Sequence, residues 1–461
     1  MANRQIEGEL GVSSQAVDAA RYIKEFFEKA RDETFAFERI VSQGSWGVTM
    51  QMRMISFDEA GETSEPSSST LRQAPRRQPP PPPSLQSTPS SRRYLDPIRR
   101  RSRSPEMNPV PQLDRPALRS APWERETRTS DASSSRGRGR QRVTRFIMKR
   151  SLAEVGEKSI MIEMDALDRL RRSMHIAQPS HVLDDPRWNT LTRPLRGPTL
   201  LMEWIENGLL WDFYERRAGS DEPLPNRLLW SLFLCLCRMV AGMAWPPRDF
   251  GRKAGGKPIL EVIPPRNQRG ERPPKSRLLH GDFHGRNVMI DKMEPVEHRS
   301  IPMLKLIDFG MSRDLPPREN EPNDIVVKTN IRAVGEVMLG LLRGNVKGGP
   351  GMMNITYNGQ PKTVDSYATD LDRLSSKYGA PVDVVAKHQD RIDNLDPDLR
   401  SLVALCVAVR VEDRPDIEYL LRAVERNNRD KRPSDYRNYK YANNETDAAI
   451  DRILADCIFN A

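Results

Sequence analysis

Two short runs hold most of the residues able to do chemistry. LLHGDFHGRNVMI (278–290) is followed by LKLIDFGMSR (304–313), and each is a short apolar strand that adjoins a loop presenting carboxylate and amide groups. Asn287 lies five residues after Asp282, and Asp308 lies twenty-six after it. Phosphoryl transfer from ATP needs few protein parts: a carboxylate to orient the acceptor hydroxyl, oxygen ligands for Mg²⁺, and cations or backbone amides around the phosphates. Asp282 is of the first type, and Asn287 and Asp308 are of the second.

The elements that must position these groups are readable from hydrophobic spacing. Residues 16–30 place Val17, Ala20, Tyr22, Ile23, Phe26 and Phe27 at helical intervals, and 35–54 is β-like but broken by glycines. A short strand is expected at 143–148. A helix is expected at 159–174, with Ile160, Met164, Leu167 and Leu170 on one side. Another strand follows at 199–204. Beyond Pro225 helices dominate: 228–243 is apolar nearly all round and therefore buried, and 331–342 repeats apolar residues every three or four positions. A small β-rich half thus precedes a larger helical half.

In order and content these runs resemble the protein-kinase superfamily. Its catalytic loop, His-Arg-Asp followed by Asn, and its Asp-Phe-Gly triplet are matched by His280, Gly281, Asp282 and Asn287 and by Asp308, Phe309 and Gly310. Upstream, IVSQGSWGVTM resembles the glycine-rich loop, with Gly44 and Gly47 in place, Trp46 at the usual aromatic position and Ser42 instead of the first glycine. Lys149, at the end of the strand in RFIMKRS, stands where the family has its phosphate-contacting lysine. Glu163, fourteen residues later, looks like the glutamate that pairs with it. LLMEWIENGLLWDF resembles the hinge, with Met202 at the back of the adenine pocket and the backbone of Glu203, Trp204 and Ile205 facing the base. Arg414 and Pro415 close a late helical motif.

The resemblance implies an α+β, two-lobed protein-kinase-like fold: a small antiparallel β-sheet lobe with one helix, a larger mainly helical lobe, and long disordered insertions. It implies ATP and Mg²⁺. Lys149, Glu163, Asp282 and Asn287 are the catalytic set it carries over, Asn287 and Asp308 the metal ligands, and Gly44, Gly47, Lys149, Met202, Glu203, Trp204 and Ile205 the nucleotide contacts. The activity it implies is transfer of the ATP γ-phosphate to a protein hydroxyl of Ser/Thr type, the chain's own insert being one candidate acceptor. The expected division is a helical extension at 1–34, a small lobe from 35–60 and 143–201, a large lobe from 202–247 and 278–425, inserts at 61–142 and 248–277, and a helical tail at 426–461.

Four further departures mark the pattern. Gly281 replaces the arginine that reads activation-loop phosphorylation, and His284 stands where Ser/Thr kinases have a lysine. His-Gly-Asp-x-His is common in aminoglycoside and choline phosphotransferases. No Ala-Pro-Glu follows Asp308, which leaves Arg414 without its usual partner, and Asn330 replaces the aspartate that braces the catalytic loop. These keep two alternatives open, a small-molecule kinase and a nucleotide-binding pseudokinase or scaffold.

Composition accounts for the rest. Over 461 residues the net charge is +10, but 61–142 alone holds 17 Arg and no Lys against 8 Asp or Glu, so nearly all the excess sits in one Pro, Ser and Arg mixture. Such a segment cannot bury enough apolar surface to offset its ordering entropy, so disorder is expected there, with an anionic partner a candidate for its arginines. The stretch 248–277 is similar in kind, although ILEVI within it suits a short strand. The longest apolar stretch, 228–244, is interrupted by Ser231 and Arg238 and falls short of the roughly 20 residues a bilayer requires, so no membrane span is expected. The first ten residues have no apolar signal core, and Cys235, Cys237, Cys406 and Cys457 lack metal-ligand spacing, which suits reduced structural thiols and a cytoplasmic or nuclear protein.

Overall fold

The computed structural model describes residues 12–30, 34–44, 47–57, 141–218, 220, 222–247, 257–295, 297–319, 321–343, 349–372 and 389–460. They belong to one unit, formed from 1–57 and 141–461. The fold is α+β. The insert expected at 61–142 lies outside the described residues except at its end, where a strand already begins at Gln141.

Helix α1 (Ser14–Lys29) starts at an N-cap, the Ser13 side chain accepting the Ala16 N–H, and buries Ala16, Ala20, Ile23 and Phe27. Four antiparallel strands follow in spatial order: β1 (Phe35–Gln43), β2 (Gly47–Phe57), β3 (Gln141–Ser151) and, after two helices, β4 (Thr199–Glu203). Phe57 pairs directly with Gln141, so the chain leaves the sheet and re-enters it at adjacent strand ends. Alternation sorts the side chains to two faces. Val48, Met50, Met52, Phe146, Met148 and Leu201 pack with α1 and with Trp188, which lies in α3 (Pro186–Thr192) and stacks on Phe27 at 5.6 Å. Ile147, Leu200 and Met202 point the other way, toward Ile160, Leu167 and Leu170 of α2 (Glu154–Arg169).

The remaining elements are mainly helical. In order they are α4 (Leu210–Ala218), α5 (Asn226–Ala244), the two-residue β5 (Leu278–Leu279), β6 (Val288–Ile290), β7 (Leu304–Leu306), β8 (Arg313–Asp314), α6 (Ile325–Arg343), the hairpin β9 (Gly351–Tyr357) and β10 (Gln360–Ser366), α7 (Pro397–Cys406), α8 (Ile417–Asp430) and α9 (Asp447–Leu454). Helix α5 is the only described helix long and apolar enough to cross a membrane, and it is almost wholly buried inside the protein. It is the core helix that its all-round apolar sequence predicts.

Several expectations need correction. Helix α2 spans 154–169 rather than 159–174, because Arg172 takes a left-handed backbone (φ 69°) just beyond it, and Met164 is 40% exposed rather than inward. The helix expected near Asn330 begins at Ile325. The β9–β10 hairpin interrupts the helical half at an Asn358-Gly359 turn with both residues at positive φ, a signal present in the sequence but overlooked. From residue 257 onward the 248–277 stretch is tied to the fold at single points, although 265–271 are exposed. Ile259 donates to the Arg172 carbonyl, Glu261 is buried, and Trp245 Nε1 donates to the Pro273 carbonyl. The 426–461 stretch is likewise docked: the Glu445 carboxylate accepts the N–H groups of Asn226 and Arg227 at the start of α5.

Candidate active site

Lys149 lies on the α2 face of β3, on the same side as Ile147, because both alternate with Phe146 and Met148. Its Nζ is 2.7 Å from Glu163 Oε2 and 2.8 Å from Asp308 Oδ1. Glu163 comes from the middle of α2 and is wholly buried, whereas Asp308 follows β7 and is 44% exposed. Burial pulls the Lys149 ammonium down, but the two carboxylates outweigh it and hold its pKa above the ordinary lysine value. For Glu163 burial wins over the Lys149 charge and raises the carboxyl. For Asp308 burial is outweighed instead, by Lys149 and by the Gly310 N–H, so that its carboxyl stays below the usual range. The more exposed carboxylate is therefore the one held ionised and open to a ligand.

The backbone around Asp308 is built to aim that group. Asp308 itself is left-handed (φ 62°, ψ 71°), a conformation that costs energy for a non-glycine residue and persists only when its surroundings fix it. Ser159 of α2 supplies one fixing bond, its hydroxyl donating to the Gly310 carbonyl at 3.0 Å. No spacing argument had singled out Ser159. Its signal is only that it lies one helical turn before Glu163 on the same face.

Asp282 is held from three sides. Asn287 Nδ2 donates to its backbone carbonyl (2.8 Å) and to its Oδ2 (3.0 Å), and His284 Nε2 lies 3.2 Å from its Oδ1. His284 Nδ1 accepts the Arg286 N–H at 3.2 Å, which leaves its Nε2 as the donor toward Asp282. Because Asn287 uses its amide nitrogen on Asp282, its carbonyl oxygen is the atom left for a cation. A carboxylate and an amide oxygen are hard donors, so Asp308 and Asn287 are chemically suited to Mg²⁺. His280 is buried, with Nε2 at 3.1 Å from the Ile307 carbonyl and Nδ1 accepting the Asp282 N–H at 3.2 Å, so it braces both loops at once. Asn330 performs a related task, accepting the His280 N–H and donating to the Leu278 carbonyl. Arg414, without a carboxylate partner, is satisfied by the carbonyls of Ala408, Val409 and Lys328.

The other expected nucleotide residues lie in the sheet and in the segment that follows β4. Gly47 faces the Arg150 carbonyl so closely that a Cβ would meet it at 2.5 Å, while Gly44 N–H bonds the Gly47 carbonyl and is exposed. Trp46 lies outside the described residues. Met202 is buried in β4 opposite Ile147. Glu203 has its N–H committed to the Gln178 carbonyl, and both carboxylate oxygens lie 2.7 Å from Lys305 Nζ. Lys305, which the motif analysis passed over, also pairs with Asp291 at 3.2 Å and so ties the end of β4 to the β6–β7 hairpin. Beyond the strand, Trp204 is half-buried under the Arg39 guanidinium and Ile205 is buried. Compared with models of protein families and with curated protein sequences, the chain matches none.

Proposed function

We propose that the chain is an ATP-dependent phosphotransferase with the two-lobed architecture of protein kinases, acting on a hydroxyl of a protein. The observation that carries this reading is the bridge made by Lys149 between Glu163 and Asp308, at 2.7 and 2.8 Å. Motif order alone nominated these three residues, from a strand, a helix and a distant loop. The Asn287 and His284 contacts to Asp282 support it further.

In this reading Mg²⁺·ATP supplies the electrophilic γ-phosphorus and spreads the charge of its phosphates over a cation. Asp308 and Asn287 offer the oxygen ligands, and Lys149, kept cationic, offers a positive charge beside them. Glu163 orients Lys149, whose ammonium has three N–H donors and keeps two of them for a ligand when Asp308 turns to one. Asp282 orients the acceptor hydroxyl and takes its proton, with His284 and Asn287 limiting the rotation of its carboxylate.

A second reading, phosphorylation of a small alcohol, is favoured by a cavity of about 150 Å³ beside the catalytic loop, lined by Phe283, His284 and Gly285 together with Trp211, Tyr214 and Glu336. Labelled-ATP transfer measured against peptide libraries and small-alcohol pools separates the two. Asp282→Asn should lower transfer by about 100-fold or more while Mg·ATP still raises the melting temperature, and Asp308→Asn should abolish that Mg²⁺-dependent rise. Equal loss of nucleotide stabilisation in both variants would contradict these roles, and undiminished transfer in Asp282→Asn would remove the proposal.

A further inference from the structure

Away from the candidate active site, three side chains far apart in sequence converge in the interior. His175 follows α2, Cys235 lies in the middle of α5, and His298 lies between β6 and β7; they are 0%, 0% and 2% exposed. His175 Nε2 and His298 Nε2 are 2.9 Å apart, Cys235 Sγ lies 3.8 and 3.9 Å from the two nitrogens of His298, and one donor atom from each residue falls within 4.8 Å of the others. We propose that His175, Cys235 and His298 supply the protein ligands of a buried zinc site.

The spacing suits the ion. With Zn–N near 2.0 to 2.1 Å and Zn–S near 2.3 Å, a tetrahedron has N···N edges of ~3.3 Å and N···S edges of ~3.6 Å. The observed His175–His298 and Cys235–His298 separations lie within about half an ångström of these edges. Glu297 Oε2 lies 3.7 Å from His298 Nε2, but its carboxylate is held by Arg238, whose NH2 group is 2.6 Å from Oε1 and whose Nε is 3.2 Å from Oε2, so it stands beside the site and not in it. The thiolate and the buried Glu261 carboxylate behind His175 together offset a divalent charge in the interior.

The outer contacts have the form that metal-bound histidines use. His175 Nδ1 is 2.7 Å from Glu261 Oε2, and the other oxygen of Glu261 accepts the His175 N–H at 2.8 Å. This carboxylate fixes the tautomer and turns Nε2 toward the cluster. Glu261 belongs to the 257–277 stretch, so the site supplies a reason for a Pro- and Arg-rich segment to pack. The His175 carbonyl accepts the Leu306 N–H at 3.0 Å, two residues before Asp308, so the ion would pin the strand that leads to the candidate active site. One thiolate and two imidazoles select zinc over the hard cations, so this site and the proposed Mg²⁺ ligands differ in chemistry as well as place.

The full chain, purified without chelator, should carry about one zinc per molecule by plasma mass spectrometry, falling below about 0.2 in Cys235→Ser. Because that variant risks misfolding, two measurements use the unaltered chain. Stripping with dipicolinate should lower the melting temperature and stoichiometric Zn²⁺ should restore it, and Co²⁺ in place of zinc should give an intense thiolate-to-cobalt absorption in the near ultraviolet. The proposal is overturned if the chain as purified is free of transition metal and neither Zn²⁺ nor Co²⁺ changes its melting or absorption. It is also overturned if Cys235→Ser keeps its full zinc content. Neither readout depends on phosphotransferase activity.

Discussion

At Gly281 a side chain has nowhere to go. The residue has φ +85°, and a Cβ there would fall within the contact distance of the Met311 carbonyl, so the catalytic loop and the loop after Asp308 meet backbone to backbone. The glycine, where the protein-kinase pattern that the sequence resembles has an arginine, is therefore a packing requirement of this chain. Gly281→Arg should destabilise by about 1–3 kcal/mol and weaken Mg·ATP stabilisation, which urea unfolding with and without nucleotide would measure. A variant as stable as wild type would show that the two loops separate freely. His280, next to it, gives a pH signature. Burial is the dominant influence and holds its pKa down at about 4, against an ordinary value of 6.5. As pH falls the unfolded chain takes up this proton first, so the stability tied to neutral His280 is full above about 6.5 and is lost between there and about 4. Wild type should lose on the order of 3 kcal/mol more than His280→Gln across that interval. Parallel pH profiles for the two would contradict a neutral brace. Asp282, Asn287, Asp308 and Lys149 were legible because their motifs are local and ordered. Cys235 was not, because its neighbours His175 and His298 lie on other segments and no linear spacing connects them.

Elements were legible wherever one face or one period dominated. α1, the β1–β2 pair and α5 lie within a few residues of their expected bounds because apolar residues dominate one period in each despite single interruptions. α2 was displaced because Leu170 and Met174 continue a helical spacing past the point where the left-handed Arg172 ends the helix. The docking of 426–461 was invisible for another reason: it rests on single polar residues. Glu445 is buried and accepts the N–H of Asn226 at 2.7 Å, the N–H of Arg227 at 3.0 Å and Asn226 Nδ2 at 2.9 Å, capping a helix that begins 219 residues earlier. Burial, outweighing these bonds, raises its carboxyl pKa. Asp396 is a second such point, taking the Tyr436 hydroxyl at 2.8 Å and Lys431 Nζ at 2.9 Å. Glu445→Ala should cost about 1–3 kcal/mol, since it orphans buried donors at the start of the core helix. Chemical denaturation measures this. A change below about 0.5 kcal/mol would show that the C-terminal residues add nothing to the helical half.

For the whole molecule the informative fact is where 58–140 is attached. Phe57 and Gln141 are register partners, so the two attachment points lie one strand spacing apart and the sheet closes without the intervening chain. Replacing 58–140 by about ten Gly and Ser residues shortens the loop roughly eightfold, and its lower closure entropy should leave unfolding cooperative and raise stability by up to about 2 kcal/mol. Loss of the cooperative transition would mean that the segment is part of the core. The same attachment bears on the acceptor. β3 carries both Gln141 and Lys149, so the insert is tethered to the strand that supplies the proposed phosphate-contacting lysine, within ~30 Å of it along the strand. Ser102 and Ser104 lie about forty residues from either attachment point, a contour that reaches well past that distance. Tethering gives such hydroxyls an effective concentration that a free peptide must match from solution, up to the millimolar range for short flexible tethers. Under the proposed function, with no Ala-Pro-Glu to anchor a peptide-binding floor, proximity would be the stronger route to Asp282. Incubation with Mg·ATP should therefore place phosphate on Ser or Thr within 61–142, detectable by mass spectrometry, absent in Asp282→Asn and independent of chain concentration. The shortened chain should keep nucleotide stabilisation while losing this signal. Phosphate that persists on the shortened chain, or a rate that rises with chain concentration, would place the acceptor elsewhere.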